Sequence, residues 1–315
     1  MPRRRRRSNK GPQFKHVESI EGNLLSDDPD TLLQTHRKLQ KATLNILRNA
    51  KNGDVLLNIS NCQVMDPGGL LLTMYAFFQI WRQENVSLWY RSVGAVREYL
   101  IENLDHFWES RADRDTTHSD EFLLREIRSR PEMVHDLSKY AEGLKETPNV
   151  SDREVAIWET QVGELTTNGF QHGGALNPQG GDAGGIINMV AGKAYGDRKR
   201  VEMGVLDFGS GIPRIIEQVA PESVRDRGDG RLIAYALKRG VTSKSVVENQ
   251  GAGLYGIVDA VKENQGRLLL LSGNGLVCVR NNRISSRRLN NQTKGESTLN
   301  GTLAIIILHL QGGAA

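Results

Sequence analysis

The sequence predicts an α/β fold in its first half and an α+β fold in its second half. Three observations support this prediction. The 315 residues are enough for about two domains of ordinary size. Short apolar runs alternate with helical patterns between residues 13 and 108, which is typical of a layer built on parallel strands. Residues 151–312 begin with a capped helix and continue into apolar strands with fewer helices between them.

The composition divides the chain into four segments. Residues 1–12 form a basic tail, residues 13–108 the α/β domain, residues 109–150 a charge-rich helical connector, and residues 151–312 the second domain. With 38% hydrophobic residues the chain can bury a core, which excludes disorder throughout.

The positive charge is concentrated at one end of the chain. The formal net charge is +4 and the pI is about 9.0, values that suggest nucleic-acid binding. Residues 1–10, however, contain Arg3 to Arg7 and Lys10 without an acid, so the rest of the chain carries 35 basic and 37 acidic side chains. If the chain contacts nucleic acid through its excess positive charge, we expect the arginine tail to make that contact.

The sequence predicts a cytoplasmic protein without membrane contact. Residues 8–18 are polar where a secretory signal needs an apolar segment. The longest apolar run, Gly69 to Trp81, is shorter than the ~20 residues that span a bilayer. Cys62 and Cys278 lie far apart without a histidine cluster, so we expect buried thiols rather than disulfides or a zinc site.

The first domain is predicted to alternate between helices and strands. Asp28 followed by Pro29 predicts a helix start, and Asn52-Gly53 predicts its end. The predicted elements are a strand at 14–20, a helix from 29 to Asn52-Gly53, a strand at 55–60, a helix at 70–81, a strand at 86–92 and a helix at 95–104.

Asn58-Ile59-Ser60 and Asp66-Pro67-Gly68-Gly69-Leu70 lie at the centre of this pattern. With them, residues 13–108 resemble a STAS domain, the fold of anti-sigma-factor antagonists. In that family the turn before the central helix carries an acid, then serines and a glycine, and one serine accepts phosphate. Pro67 and Gly68 occupy those places here, so we expect a small interaction domain in which Asp66 caps a helix.

The connector is predicted to be helical at residues 121–127 and 131–144. Within it, His135-Asp136-Leu137 resembles the phosphoacceptor helix of sensor histidine kinases. That module needs a second long helix, and only residues 145–150 remain before the next domain. A solvated, structural His135 is therefore the favoured interpretation.

The first helix of the second domain carries three aligned polar residues. Ser151 and Glu154 form a capping box, which predicts a helix ending near His172. Glu164, Asn168 and His172 are four residues apart and therefore lie on one helical face. Without further motifs, a solvated polar stripe would be the simplest explanation for that face.

Two glycine motifs follow this helix: Asp207-x-Gly209-x-Gly211-Ile212, and Gly251-x-Gly253-Leu254. The second motif does not fit a Rossmann fold, because the preceding residues are polar and residues 264–295 contain no acid. The chain contains no P-loop motif either. Strands are predicted at 185–191, 201–206, 267–272, 275–280 and 301–310, and a helix at 257–264.

The order and spacing of these motifs resemble the GHKL ATPase family, which includes histidine kinases, DNA gyrase, heat-shock chaperones and anti-sigma-factor serine kinases. The resemblance implies a two-layer sandwich of helices on a mixed sheet, with ATP and Mg²⁺ as ligands. It covers residues 151–312 and rests on Glu164-x-x-x-Asn168-x-x-x-His172, Asp207 to Ile212, Thr242-Ser243-Lys244, Gly251-x-Gly253-Leu254 and Gly301-Thr302.

For the adenine end of the ligand, the resemblance implies that Asp207 accepts a hydrogen bond from the adenine amino group. Thr302 supports the same end of the base. Gly209 and Gly211 let the backbone pass close to the base, with Ile212 beside them.

For the phosphate end, the resemblance implies that Asn168 holds Mg²⁺, a hard cation that prefers oxygen ligands. Gly251 and Gly253, followed by Leu254, present backbone N–H groups at a helix N-terminus to the phosphates. Residues 213–250 are expected to form a flexible lid.

Four further residues of the resemblance are Thr242, Lys244, His172 and Glu164, and the roles of Lys244 and His172 stay open. Thr242 and Lys244 lie in the lid, where Lys244 is either a phosphate contact or an ordinary exposed lysine. His172 either contacts phosphate or caps the helix C-terminus. Glu164 orients or deprotonates the attacking hydroxyl in relatives that hydrolyse ATP or phosphorylate serine, which requires hydrogen-bond reach to that hydroxyl.

Three functions are compatible with these expectations. The leading one is a switch in which ATP binding and slow hydrolysis change the contact with a regulatory protein partner. The alternatives are a protein serine kinase of the anti-sigma type and a non-catalytic adaptor. A second copy of the chain is a further candidate partner. Residues 281–300, rich in Asn and Arg, are expected to form a solvated hairpin.

Overall fold

The computed structural model describes residues 14–49, 53–81, 83, 86–94, 96–97, 100, 121–127, 130–146, 150–173, 188–195, 199–241, 253–289 and 299–310. The helices in this part are α1 (Pro29–Asn49), α2 (Pro67–Trp81), α3 (Arg130–Lys145), α4 (Asp152–Gly173), α5 (Ile212–Ile216), α6 (Glu222–Arg225), α7 (Asp229–Ala236) and α8 (Gly253–Glu263). The strands are β1 (His16–Ser19), β2 (Gly53–Asn58), β3 (Val86–Arg91), β4 (Glu121–Ile127), β5 (Asn188–Tyr195), β6 (Arg200–Asp207), β7 (Arg267–Gly273), β8 (Gly275–Arg280), β9 (Arg283–Arg288) and β10 (Leu299–His309).

The first sheet is parallel and has the strand order β1-β2-β3. Helices α1 and α2 connect its strands in sequence, which confirms the predicted alternation. Helix α1 begins at Pro29 because Oδ1 of Asp28 accepts the N–H groups of Asp30 at 2.8 Å and Thr31 at 3.0 Å. The predicted helix at 95–104 is seen only at residues 96, 97 and 100, and its other residues lie outside the described part.

Asp66 caps α2, as the sequence predicts. Its Oδ1 accepts the N–H of Gly69 at 2.7 Å and the hydroxyl of Ser26 at 2.9 Å. The expectations for three other residues are confirmed as well: His135 is exposed on α3, and Cys62 and Cys278 are buried free thiols.

The second sheet has the strand order β4-β5-β6-β10-β7-β8-β9, and every described pair in it is antiparallel. The expected mixed sheet is therefore wrong for the described strands. Short connections join β5 to β6, β7 to β8 and β8 to β9, and such connections permit only antiparallel pairing. Strand β10 then fits between β6 and β7, which closes the centre of the sheet.

One described element differs in type from the sequence prediction. Residues Glu121–Ile127, predicted as helix, form the edge strand β4 because the exposed edge of β5 offers them a backbone ladder. The segment at 281–300 contains the predicted hairpin, in which Asn281 and Asn282 both have positive φ and turn β8 into β9. Helix prediction for 131–144 is confirmed by α3.

The central strands of the second sheet, β6, β10, β7 and β8, are buried on both faces. Along β10, Leu303, Ile305 and Ile307 face the first sheet and helices α1 and α2, whereas Ala304 and Ile306 face α4 and α8. Burial on both faces explains why β10 reads as a continuous apolar run. Among the described residues, no helix is both long and apolar enough to cross a bilayer.

The two sheets are joined by direct packing of α2 on the antiparallel sheet. A Cβ on Gly204 of β6 would lie 2.5 Å from Cδ1 of Leu71, and a Cβ on Gly68 would lie 2.7 Å from Cδ1 of Ile305. A side chain at Gly204 would therefore displace Leu71, and one at Gly68 would first meet Ser26, 2.0 Å from its Oγ. The apolar cluster between them is continuous from β1 to β8.

Candidate functional site

Helix α4 presents Glu164 and Asn168 on one face. The capping box that starts the helix is formed: the N–H of Ser151 donates to Oε2 of Glu154 at 2.7 Å, and the N–H of Glu154 donates to Oγ of Ser151 at 3.3 Å. Three turns later, Nδ2 of Asn168 lies 3.4 Å from Oε1 of Glu164, and both side chains are partly buried. His172 is within the helix, but its side chain lies outside the described residues.

The first residue of α8 lies directly against the carboxylate of Glu164. A Cβ on Gly253 would overlap Oε1 of Glu164 and would stand 3.0 Å from its Cδ. Only glycine therefore fits at this position while Glu164 keeps its place. The N-terminal end of α8 consequently lies beside the Glu164 and Asn168 pair. The dipole of a helix N-terminus favours an anion, whereas the adjacent Glu164 carboxylate opposes one.

Asp207 ends strand β6 and forms the opposite end of the site. Its Oδ1 accepts the N–H of Gly209 at 2.8 Å, and Thr302 supplies further hydrogen bonds. Burial raises the pKa of Asp207 to about 6, while the hydrogen bonds from Gly209 and Thr302 act in the opposite direction. Asp207 and Thr302 are direct neighbours in the ladder between β6 and β10.

Two glycines allow the backbone around Asp207 to close. Gly211 has φ 77°, and a Cβ there would lie 2.8 Å from Oγ of Ser272. Gly301 has φ 109°, and a Cβ there would overlap the carbonyl oxygen of Asp207. Both the left-handed backbone and the lack of space therefore require glycine at 211 and 301.

Sequence reasoning missed Ser272, which joins three segments of this end of the site. Its Oγ accepts the N–H of Ile212 at 3.0 Å, donates to the carbonyl of Gly301 at 2.8 Å and lies 3.2 Å from Oγ1 of Thr302. The signal in the sequence was a serine directly after four consecutive leucines of β7. The structure shows that this serine is fully buried.

Sequence reasoning also missed Asn188, which connects the two ends. It is fully buried and pairs with Asp207 in the ladder between β5 and β6. Its Nδ2 donates to the carbonyl of Thr166 at 3.1 Å, and a Cβ on Gly169 would overlap its Oδ1. Asn188 thus holds the turn of α4 that carries Asn168 against the strand that carries Asp207.

The structure brings most of the predicted residues into one region. Ile212 and Leu254 pack against the same small apolar cluster around Ile216 and Leu232. The described predicted residues in this region are Glu164, Asn168, Asp207, Gly209, Gly211, Ile212, Gly253, Leu254 and Thr302. The others, Thr242, Lys244 and Gly251, and the side chain of His172, lie outside the described residues.

The segment expected to be a flexible lid is largely packed. Residues 213–241 contain most of α5 together with α6 and α7, and Ile216, Leu232 and Ala236 are buried. The carboxylate of Asp229 accepts the N–H of Asn274 at 2.7 Å, which fixes α7 to the turn between β7 and β8. Residues 242–250 lie outside the described part.

The residue after Asp207 connects the site to the first sheet. The ring of Phe208 lies 6.0 Å from the ring of Tyr75 and 4.8 Å from that of Phe78, both on α2. The hydroxyl of Tyr75 accepts the N–H of Asn300, two residues before Thr302. Helix α2 therefore contacts both backbone segments that form the Asp207 end of the site.

The arrangement has a hydrogen-bonded end at Asp207 and Thr302 and a second end where Glu164 meets the start of α8. No group of three or more His, Cys, Asp or Glu side chains in the described residues could hold a metal ion. A divalent cation there would rely on Asn168 and on oxygens of a ligand or water. No protein-family model matches the chain, and no curated protein is significantly similar to it.

Proposed function

We propose that residues 151–312 form a GHKL-type nucleotide site that binds ATP with Mg²⁺. The observation that carries the proposal is the convergence of Asp207, Ser272, Gly301 and Thr302 at one end with Glu164 against Gly253 at the other. Both ends place a glycine against a polar group: Gly301 against the carbonyl oxygen of Asp207, and Gly253 against Oε1 of Glu164.

At the first end, the carboxylate of Asp207 would accept the amino group of adenine. Gly209 and Thr302 already donate to this carboxylate, so its position is set before a ligand arrives. Ser272 holds Ile212 and Gly301 together and thereby shapes the backbone beneath the base.

At the second end, the N-terminus of α8 would hold the phosphates, and Asn168 would contribute an oxygen to Mg²⁺. When bound, the metal neutralises phosphate charge. Glu164 lies between Asn168 and Gly253 and is therefore placed to orient a hydroxyl near the terminal phosphate. If that hydroxyl belongs to water, the protein is an ATPase. If it belongs to a serine of a partner protein, the protein is a serine kinase.

We further propose that nucleotide binding switches the contact with a regulatory protein partner. The support is the aromatic contact of Phe208 with Tyr75 and Phe78, together with the bond from Asn300 to Tyr75. A shift of the backbone on either side of the base would move α2, the central helix of the STAS-like unit.

Binding is tested by titrating ATP and Mg²⁺ into Asp207→Asn and the parent protein by calorimetry. We expect Kd to rise at least about 10-fold, since a hydrogen bond to a charged group contributes ~1.5–3 kcal/mol. Asp226→Asn is the control, because Asp226 is exposed at the end of α6. Absence of ATP binding to the parent protein would overturn the proposal and favour the adaptor.

A further inference from the structure

An open groove of about 1290 Å³ lies between α1 and the strands β7, β8 and β9. One wall is the exposed side of α1, with Arg37, Lys38 and Lys41. The other wall belongs to the antiparallel sheet, with Arg280 and Arg288 at the strand ends. Basic side chains from two separate units of the fold thus face one groove, away from the candidate nucleotide site.

The three acids that line this groove, Asp27, Asp28 and Asp30, lie at the N-terminal end of α1. Arg267 donates to the backbone carbonyl of Asp27, and Arg287 forms an ion pair with Asp30 at 2.5 Å. Asp28 caps α1 through the N–H groups of residues 30 and 31. These contacts hold the two walls together at the N-terminal end of α1.

The remaining cations are not neutralised by the described residues. Arg37, Lys41, Arg280 and Arg288 are exposed, and none of them forms an ion pair with another described side chain. Like charges that face each other across a groove repel, so the arrangement costs free energy in the unbound protein and favours a polyanion.

The dimensions suit a phosphate backbone. Residues 29–41 of α1 border the groove, which at ~1.5 Å per residue corresponds to about 18 Å. That length matches about five phosphates along one strand of a duplex at ~3.4 Å each. Arginine forks bind phosphate oxygens in pairs, and they bind carboxylates in the same way, so the test includes an acidic polypeptide as a competitor.

We propose that this groove binds the phosphodiester backbone of nucleic acid without reading its sequence. The described lining contains no aromatic side chain on which bases could stack, so contact is confined to phosphate and sugar. The proposal is independent of nucleotide binding at the Asp207 site. It also differs from contact through the arginine tail, since every cation that it uses lies between residues 37 and 288.

The test is fluorescence anisotropy with a labelled 20-nucleotide duplex DNA and a 20-nucleotide single-stranded RNA, at several KCl concentrations. The test variant Lys41→Gln with Arg280→Gln removes one cation from each wall. The control Lys139→Gln with Arg225→Gln removes two exposed cations from other surfaces. Both pairs are also made in a chain lacking residues 2–10, so that the tail is measured separately.

We expect the test variant to bind duplex DNA about 10-fold more weakly near 0.1 M salt and to reduce the salt slope by about 2, because each phosphate contact contributes about 0.9 to that slope. The control should change affinity less than about twofold. Binding of both probes supports backbone contact, and the preference between them identifies the source of the phosphates.

Three outcomes would overturn the proposal: equal binding by the test and control variants, loss of all binding when the tail is removed from an otherwise unchanged chain, or displacement of both probes by polyglutamate at equal charge concentration. The last outcome would assign the groove to an acidic protein. Thermal melting of the test variant serves as the folding control, since Lys41 and Arg280 make no ion pair with another described residue.

Discussion

The contact between Gly253 and Glu164 is the most sensitive point of the candidate site. Gly253 is the first residue of α8, where helix-interior propensities do not apply. A Cβ added there overlaps Oε1 of Glu164 and forces the carboxylate to move. Glycine at this position therefore maintains the observed place of the Glu164 carboxylate.

We predict that Gly253→Ala lowers ATP turnover at least about 10-fold without unfolding the protein. Gly256→Ala on the same helix is the matched control, because a Cβ at Gly256 meets no atom within 4 Å. Turnover and thermal melting are measured for both variants. Normal turnover by Gly253→Ala would show that the position of Glu164 does not matter for catalysis.

Glu164 itself is tested with Glu164→Gln, which keeps the size and removes the charge. Loss of a general base typically reduces rates by about 100-fold to 10000-fold, so kcat should fall while Kd for ATP changes less than about threefold. Glu159→Gln, exposed on the same helix, is the control. Equal rates for the two variants would contradict the role assigned to Glu164. Transfer of labelled phosphate to a partner serine would favour the kinase.

Under the proposed function, the raised pKa of Asp207, about 6, should make nucleotide affinity depend on pH. Adenine binding requires the ionised carboxylate, so we expect Kd to rise as the pH falls through about 6. Asp207→Asn should lack this component, which separates it from the titration of the nucleotide. Calorimetric titrations at pH 5, 6, 7 and 8 give the comparison, and parallel profiles for the two proteins would contradict the expectation.

At the scale of elements, the sequence predicts those whose signals are local. The caps at Asp28, Asp66 and Ser151 predict helix starts that the structure confirms. The segment Glu121–Ile127 was not predictable in this way, because its strand state depends on pairing with β5. Ser272 and Asn188 were missed for the same reason, since their hydrogen bonds reach residues more than twenty positions away.

The contact of Phe208 with α2 predicts that nucleotide binding changes the dynamics of α2, the helix that packs on the first sheet. We expect ATP to slow hydrogen exchange of the α2 amides in the parent protein. In Phe208→Leu, which keeps an apolar side chain but loses the ring contacts with Tyr75 and Phe78, this protection should disappear.

The matched control is Phe170→Leu on α4, which packs against the opposite face of the antiparallel sheet. Its α2 amides should be protected as in the parent protein. Calorimetry accompanies the exchange measurement, because Phe208→Leu must still bind ATP for the loss of protection to be informative. An unchanged α2 in the parent protein after ATP binding would contradict the coupling.

At the scale of the whole molecule, two buried acids lie where the first sheet meets the second. Asp66 and Glu202 are each 2% exposed. Burial raises the pKa of Asp66 to about 6 and, with repulsion from Asp66, that of Glu202 to about 7. Arg200, 2.7 Å from Glu202, offsets only part of this effect. The interface therefore tolerates these acids best when they are protonated.

This cluster gives stability a definite pH dependence. Because the folded pKa values lie above the unfolded ones, the folded state binds more protons, and the free energy of unfolding should fall as the pH rises from about 4 to 7. A shift of two pKa units corresponds to ~2.7 kcal/mol per group. Urea unfolding at pH 5 and pH 8 measures it.

Glu202→Gln should flatten this profile, whereas Glu142→Gln, exposed on α3, should leave it unchanged. Stability that rises between pH 5 and pH 8 in the parent protein would contradict the predicted direction. The measurement needs no nucleotide and no partner. The difference between Glu202→Gln and the parent protein isolates Glu202, because Asp207, whose pKa is also raised to about 6, contributes to both profiles.

The close packing at Gly68 and Gly204 bears on whether either half of the protein can be expressed alone or combined with a different domain. Because α2 packs directly on the antiparallel sheet, with Leu71 against Gly204, each half covers an apolar face of the other. Expressed alone, either half would expose that face and be prone to aggregate. The two halves are therefore not interchangeable modules: a change of partner for either one requires a new fit at both glycines.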